Sequence, residues 1–314
     1  MENRNNTEVM EFLLMGFYEY PHLQHMFFLM FLLAYLMALF GNLTIILVIF
    51  TEPHLHTPMY FFLCNLSFLD ITFTSTILPK LLHICLTGLR NISYTGCVIQ
   101  MYFFVICVVA EYCLLAVMAF DRYVAIGHPL RYVQLMNTRV CTQLAAASWF
   151  CGLLDSTLYT SLLCQYSFCR SNVINHLFCD LKPLLQLSCS GTQSMESAIQ
   201  FSGAIFGFTP LIFIIMTYVL IIASILRIHS KEGKQKAFST CSSHLTVVIL
   251  FFGIILSMYM RPKSAYSIEQ DKLFSVLYTL CIPMLNPVIY SLRNKEVKQA
   301  LKKRAMAQPQ CGYI

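Results

Sequence analysis

The chain has 314 residues, of which 57% are hydrophobic and only 11% charged, and its net charge is +6. Soluble domains carry about 25% charged residues, so an ordinary water-soluble fold is excluded; its surface would show apolar patches larger than monomers tolerate. The positive balance reads as a topological charge and a face for anionic membrane lipid, with no nucleic-acid partner implied.

Seven apolar runs follow one another: His25–Phe50, Pro58–Leu82, Gly96–Phe120, Gln143–Leu163, Ala198–Leu226, Leu245–Tyr259 with a polar lead-in from Phe238, and Leu273–Leu292. Most reach the roughly 20 residues a helix needs to cross about 30 Å of hydrocarbon. The sixth reads as the weakest, because Ser239, Thr240, Ser242, Ser243 and His244 fill its first turns. The expected fold is an all-α membrane protein, a seven-transmembrane helix bundle with a short amphipathic C-terminal helix. Residues 1–24 read as an extracellular tail, 25–292 as the bundle and 293–314 as a cytoplasmic tail.

The start of the chain lacks the basic segment and short apolar stretch of a cleavable signal, so the first span is expected to insert itself. Loop Lys and Arg set the orientation. With the N-terminus outside, 13 of these residues face the cytoplasm, among them Arg122, Arg131, Lys231, Lys298 and Lys302, and eight face out. The prediction is a multi-pass plasma-membrane protein with the N-terminus extracellular and the C-terminus cytoplasmic. The sequons at Asn5 and Asn91 fall on the outer side, where N-glycosylation can occur.

Of the 14 cysteines, most lie in or beside spans, where a thiol is a small hydrophobe. Cys97, Cys169, Cys179 and Cys189 fall on the oxidising side, and four cysteines allow three pairings. A bond from Cys97 into the loop between spans four and five would pin that loop over the bundle mouth. An alternative set of metal ligands, His176, Cys179 and Asp180, needs a free Cys179 thiolate.

Asp70 and Glu111 read as the only carboxylates deep inside spans, where charge is costly and faces a polar interior. Two such groups at one depth repel unless they share a proton or a cation, and a bound sodium ion would serve; no other cofactor is expected. Asn42, Asn65 and Asn286 add polar groups to apolar helices. Pro210, Pro283 and Pro287 interrupt helical hydrogen bonds and can kink their spans.

Motifs sharpen at the cytoplasmic ends. The third run closes in MAFDRYVAIGHPLRY (Met118 to Tyr132), where Asp121 can hold Arg122 beside Tyr123. The sixth is preceded by KEGKQKAFSTCSSHLTVV (Lys231 to Val248), and the seventh ends PMLNPVIYSLRN (Pro283 to Asn294). Beyond it, Val297, Leu301 and Met306 against Lys295, Lys298, Lys302 and Lys303 make an amphipathic helix for the inner leaflet. The last four residues, Cys311 to Ile314, formally fit a prenylation box, but Gly312 and Tyr313 are poor aliphatic positions.

These fragments, with Gly41-Asn42 and LHTPMYFFLCNLSFLD (Leu55 to Asp70), lie in order along the whole chain. Together they resemble the odorant receptors, a branch of the rhodopsin-like G-protein-coupled receptors. The resemblance implies Cys97–Cys179 and Cys169–Cys189 disulfides and a sodium-type site at Asp70 and Glu111. It also implies an activation set of Asp121, Arg122, Tyr123, Tyr218, His244, Asn286, Pro287 and Tyr290. The partners it implies are a small volatile odorant and a heterotrimeric G protein of the stimulatory olfactory type, which raises cyclic AMP. Phe120, Gly127, Thr217 and Phe252 depart from the family's usual Tyr, Cys, Ser and Tyr.

The family's layout places a pocket between spans three, five, six and seven. Helical spacing then selects Phe104, Val105, Val108 and Val109, with Ser202 and Phe206, Ile255, Leu256 and Tyr259, and Val276 and Thr279 facing them. That set contains no charge, so the expected ligand is small, neutral and mainly apolar, with Ser202, Tyr259 or Thr279 offering a hydrogen bond. An amine receptor would offer an acid where this chain has Phe104, and a transporter would show inverted repeats or a polar pore. No Ser-His-Asp, HExxH or phosphate-loop pattern suggests an enzyme.

Overall fold

The computed structural model describes residues 11–169, 171–259, 268–293 and 297–300. The sequon at Asn5, most of the C-terminal amphipathic segment, the Cys311–Ile314 box and the side chain of Tyr259 lie outside the described residues. Seven long helices run in chain order: α1 (Gln24–Thr51), α2 (Pro58–Thr87), α3 (Tyr94–Gly127), α4 (Thr138–Leu163), α5 (Gln193–Leu226), α6 (Lys231–Tyr259) and α7 (268–293). Each apolar run lies within its helix, and most helices extend past the run by a turn or more. The extra turns that start α4, α5 and α7 are largely polar, as expected where a helix leaves hydrocarbon for headgroups.

Among the described residues, six helices are long and apolar enough to cross a membrane, and α4 is the one that falls short. The weakest span is therefore the fourth, not the sixth. Its polar side chains are spent inside the bundle: the Ser156 hydroxyl donates to the Tyr102 carbonyl (2.7 Å) and the Trp149 indole N–H to Asn65 Oδ1 (3.3 Å). A helix whose polar groups find partners on its neighbours needs less hydropathy to stay in the membrane.

Gly152 shows how closely α3 and α4 approach. A Cβ there would meet the Ile106 backbone oxygen at 2.5 Å. Gly152→Leu should lower the thermal stability of the solubilised protein, overpacking costing about 1–3 kcal/mol. Gly152→Ala should fall between it and the wild type in the same melt.

Two of the three flagged prolines coincide with a local change of helical winding. In α5, π-helical turns cover Gly203–Phe208 just before Pro210, and in α7 they cover Leu277–Cys281 just before Pro283. A proline lacks the N–H and crowds the carbonyl four residues back, here Phe206 and Thr279, so the wider turn relieves both problems. Pro287 sits inside an α-helical stretch instead, with its ring against Gly41, where a Cβ would come within 3.0 Å.

A small sheet that hydropathy did not foreshadow caps the end where α3 begins. Its order is β2-β1-β3, with β1 (Glu11–Leu14) antiparallel to β2 (Asn91–Ser93) and parallel to β3 (Val173–Ile174). Phe12 and Leu14 alternate inward, and the Phe12 ring meets Phe168 edge-on at 5.5 Å. Asn91 is exposed on this sheet. At the other end of the chain, Val297 and Ala300 are buried while Lys298 and Gln299 are exposed, as one face of an amphipathic helix requires.

Candidate functional site

The loop after α4 is anchored on α3. Cys97, in the first turn of α3, is bonded to Cys179, and Cys169 to Cys189. The Cys179 N–H donates to Gln100 Oε1 (2.9 Å), while Gln100 Nε2 donates to the Thr76 carbonyl (3.1 Å). One α3 side chain thus ties the loop to α2, and Phe178 packs on Phe104 with centroids 4.9 Å apart. With its sulfur in a disulfide, Cys179 supplies no thiolate for the alternative metal set.

His176, buried in this loop, links it to α7. Its Nδ1–H points at the Phe178 carbonyl (3.2 Å), which leaves Nε2 to accept from the Ser275 hydroxyl (3.1 Å). Burial holds the imidazole below its ordinary value, against the opposing pull of Asp180 and Asp271; Lys272 adds to the lowering. A neutral histidine is thus part of the fold. Its contribution is whole above the unfolded value of about 6.5 and is lost as pH falls through the lower folded value. The protection of amides over residues 173–180, taken relative to their intrinsic exchange at each pH, should therefore fall on going from pH 7.5 to pH 5.5, and His176→Asn should flatten that dependence.

Beneath the loop lies a cavity of about 370 Å³, at the small end of ligand sites. Eight of the residues picked out by spacing face it: Phe104, Val105, Val108, Val109, Ser202, Phe206, Ile255 and Leu256. Val276 and Thr279 do not line it. In the π-helical turn of α7, Tyr278 turns into the bundle and packs on Phe73 (5.0 Å) and Phe251 (5.7 Å). The Thr279 hydroxyl is spent on the Ser275 carbonyl (2.7 Å).

The wall is not free of charge, contrary to expectation. Asp155 of α4 and Asp180 and Lys182 of the loop also line the cavity. Asp155 is a third carboxylate inside the bundle beside Asp70 and Glu111, and the Ser202 hydroxyl donates to its Oδ2 at 2.8 Å. The sequence signal was an Asp four residues before Tyr159 on one face of the fourth run. It went unused because that span was not counted as a wall. Tyr112 and Phe252 line the cavity too, and both pack against Phe251.

Asp70 and Glu111 are both buried at mid-bundle. Asn286 Nδ2 donates to Asp70 Oδ2 (2.9 Å), while Asp70 Oδ1 and Glu111 Oε1 are buried without a hydrogen-bond partner among the described residues. Asn42 Nδ2 donates to the Pro283 carbonyl (3.0 Å), two residues after the π-helical turn ends.

At the end of α3 away from the sheet, Arg122 is hydrogen-bonded and ion-paired to Asp121, both buried. Sequence reasoning missed a third member, Tyr132, whose hydroxyl donates to Asp121 Oδ1 at 2.8 Å. Burial and the Asp121 carboxylate push this phenol up, so it keeps the proton it donates. Tyr123 turns to His128 instead (3.2 Å).

Tyr218 and His244 are brought together across α5 and α6, with the hydroxyl 2.7 Å from Nδ1. His244 Nε2 lies 3.1 Å from the Leu115 carbonyl, which fixes Nε2 as the protonated nitrogen and Nδ1 as the acceptor. Tyr290 is buried, and among the described residues its hydroxyl has no hydrogen-bond partner.

The arrangement as a whole is the seven-helix fold of rhodopsin. The crystal structure of squid rhodopsin matches over 94% of this chain and 89% of its own, with a TM-score of 0.69 at 16% identity. The sequence pattern of the olfactory receptors matches residues 31–308. Olfactory receptor 5AR1 of Mus musculus is 49% identical over 99% of this chain and 100% of its own. Olfactory receptor 1C1 of Homo sapiens is 48% identical, over 96% of each chain. The chain belongs to the olfactory receptor family, and it is a multi-pass membrane receptor, not an enzyme.

Proposed function

We propose that this receptor takes a small, neutral, mainly apolar odorant into the cavity between α3, α4, α5 and α6, and in response activates a G protein of the stimulatory olfactory type, raising cyclic AMP. The carrying observation is the cavity itself. Its size admits only a small molecule, and most of its lining is aliphatic or aromatic, so binding rests on burial at about 25 cal/mol per Å². In this reading the sheet end faces outward and the Arg122 end faces the cytoplasm, the arrangement that loop charge favours.

Signal transfer follows the packing. A ligand against Tyr112 and Phe252 bears on Phe251, and through it on Tyr278 of α7. Further along α3, Asp121 and Tyr132 hold Arg122 at rest, and its release would open the cytoplasmic end. Leu130, fully exposed in the loop directly after α3, offers an apolar contact for the G protein that few loops display. The two unpartnered carboxylate oxygens of Asp70 and Glu111 fit a sodium ion, which would supply the positive charge that two buried acids lack; a shared proton fits the same atoms.

The test is expression with an olfactory-type stimulatory G protein, a screen of volatiles and a cyclic AMP readout. A response to neutral odorants supports the reading. Silence across a broad panel, with the receptor displayed at the surface, overturns it.

A further inference from the structure

Asp155 stands out among the polar groups of the cavity. It belongs to α4, is 4% exposed, and lines the cavity among mostly apolar neighbours. Among the described residues no ion pair holds it, and the Ser202 hydroxyl donating to Oδ2 is the hydrogen bond it has. A carboxylate has about four acceptor sites, and a buried one needs them filled or neutralised. One neutral hydroxyl leaves most of that capacity unused. The cationic side chain among the lining residues, Lys182, sits in the loop beside Asp180, whose Oδ1 is already engaged by the Leu181 N–H (2.8 Å).

Position adds to chemistry. Asp155 and Ser202 join α4 to α5 at one side of the cavity, and Val105, Val108, Val109 and Ile255 supply apolar surface elsewhere on its wall. One polar station on an otherwise apolar wall orients an elongated ligand, with its head at the station and its body along the aliphatic surface.

We propose that Asp155, with Ser202, is the specificity-determining station of this cavity and selects odorants whose head group donates a hydrogen bond. The inference rests on the odorant reading above and sharpens it. An alcohol and an ammonium group both supply the donor; an aldehyde or an ether of the same size supplies only acceptors, which meet the lone pairs of the carboxylate. A head group that leaves a buried polar group unpaired is rejected more strongly than one that merely changes shape.

The experiment compares head groups on fixed apolar bodies in the full-length receptor displayed on cells. Three sets are used, each with alcohol, primary amine, aldehyde and methyl ether on a linear eight-carbon, a cyclohexylethyl or a phenylethyl body, and cyclic AMP is read against concentration. In wild type, the alcohol or the amine of at least one set should be about tenfold or more as potent as its aldehyde and ether. Asp155→Asn puts a donor at the station, so it should weaken the alcohol and amine by a similar factor and strengthen the aldehyde. A purely structural role for Asp155 would lower all head groups together.

The outcomes are separable. Equal potency of alcohol, amine, aldehyde and ether in wild type overturns the donor inference and leaves the odorant reading standing. That comparison needs no variant, so a poorly folded Asp155→Asn does not rescue the inference. An amine far stronger than its alcohol supports the donor station and overturns only the neutrality of the ligand. Silence of all three sets at a surface-displayed receptor that answers other volatiles of the broad panel overturns the inference and leaves the odorant reading standing, whereas silence across the broad panel as well overturns both.

Discussion

Replacing Arg122 by Gln is expected to abolish cyclic AMP signalling while leaving odorant binding within a few-fold of wild type. The cavity lies in the half of α3 that carries Phe104 to Tyr112, whereas Arg122 is nearly three turns further along, so the ligand contacts are untouched. What changes is the far end. Asp121 keeps its bond from Tyr132 but loses the guanidinium, and a buried charge stripped of its partner costs about 3–5 kcal/mol. Some loss of expression therefore accompanies the loss of signalling, and binding per displayed receptor is the measurement that separates them. Tyr132→Phe, which removes one hydrogen bond to Asp121, should raise basal activity severalfold, as about 0.5–1.5 kcal/mol less restraint on the resting state would. Unchanged signalling in Arg122→Gln would refute the latch.

Breaking the Cys97–Cys179 bond by Cys179→Ser is the second large effect. It should remove surface display and, with it, any odorant response, since losing such a cross-link typically costs about 2–5 kcal/mol. The bond closes 82 residues of chain and holds Phe178 on Phe104 at the cavity. Cys189→Ser opens a bond spanning only 20 residues, so on chain entropy it should be milder by about 1 kcal/mol. A flow-cytometric comparison of the two variants decides the order, and a more severe Cys189→Ser would show that the loop's own shape matters more than its tether.

The bundle could be read from the chain because hydrocarbon imposes one rule, a run of apolar residues long enough to cross, and that rule leaves its mark on consecutive residues. The buried polar groups were legible for the same reason: Asp70, Glu111 and Asn286 stand out against apolar neighbours, although the bond from Asn286 to Asp70 became visible only in the fold. What escaped were features set by two segments at once. The acidic side chain of Asp155 was visible, but its entry into the cavity depends on α4 packing close enough to α3 for Gly152 to touch Ile106. Tyr132 gains its role only when the loop folds back to Asp121. Thr279 was misplaced because a 3.6-residue period was carried through Pro283, where the helix widens and Tyr278 takes the inward position.

The small sheet carries a consequence for how the chain is made. Its central strand, β1, leaves the ribosome well ahead of one of its partners, since Leu14 pairs with Ile174, 160 residues later. At about 5–20 residues per second, that partner follows roughly 8–30 s behind. Four spans must be threaded before the second side of the strand can be covered. During that interval Phe12 and Leu14 are without their final burial, so a nascent receptor passes through a stage in which β1 has an open edge. Assembly of the cap is then a late, long-range event, and in the proposed orientation the β1 segment is where a chaperone on the translocated side of the membrane would meet the half-made receptor.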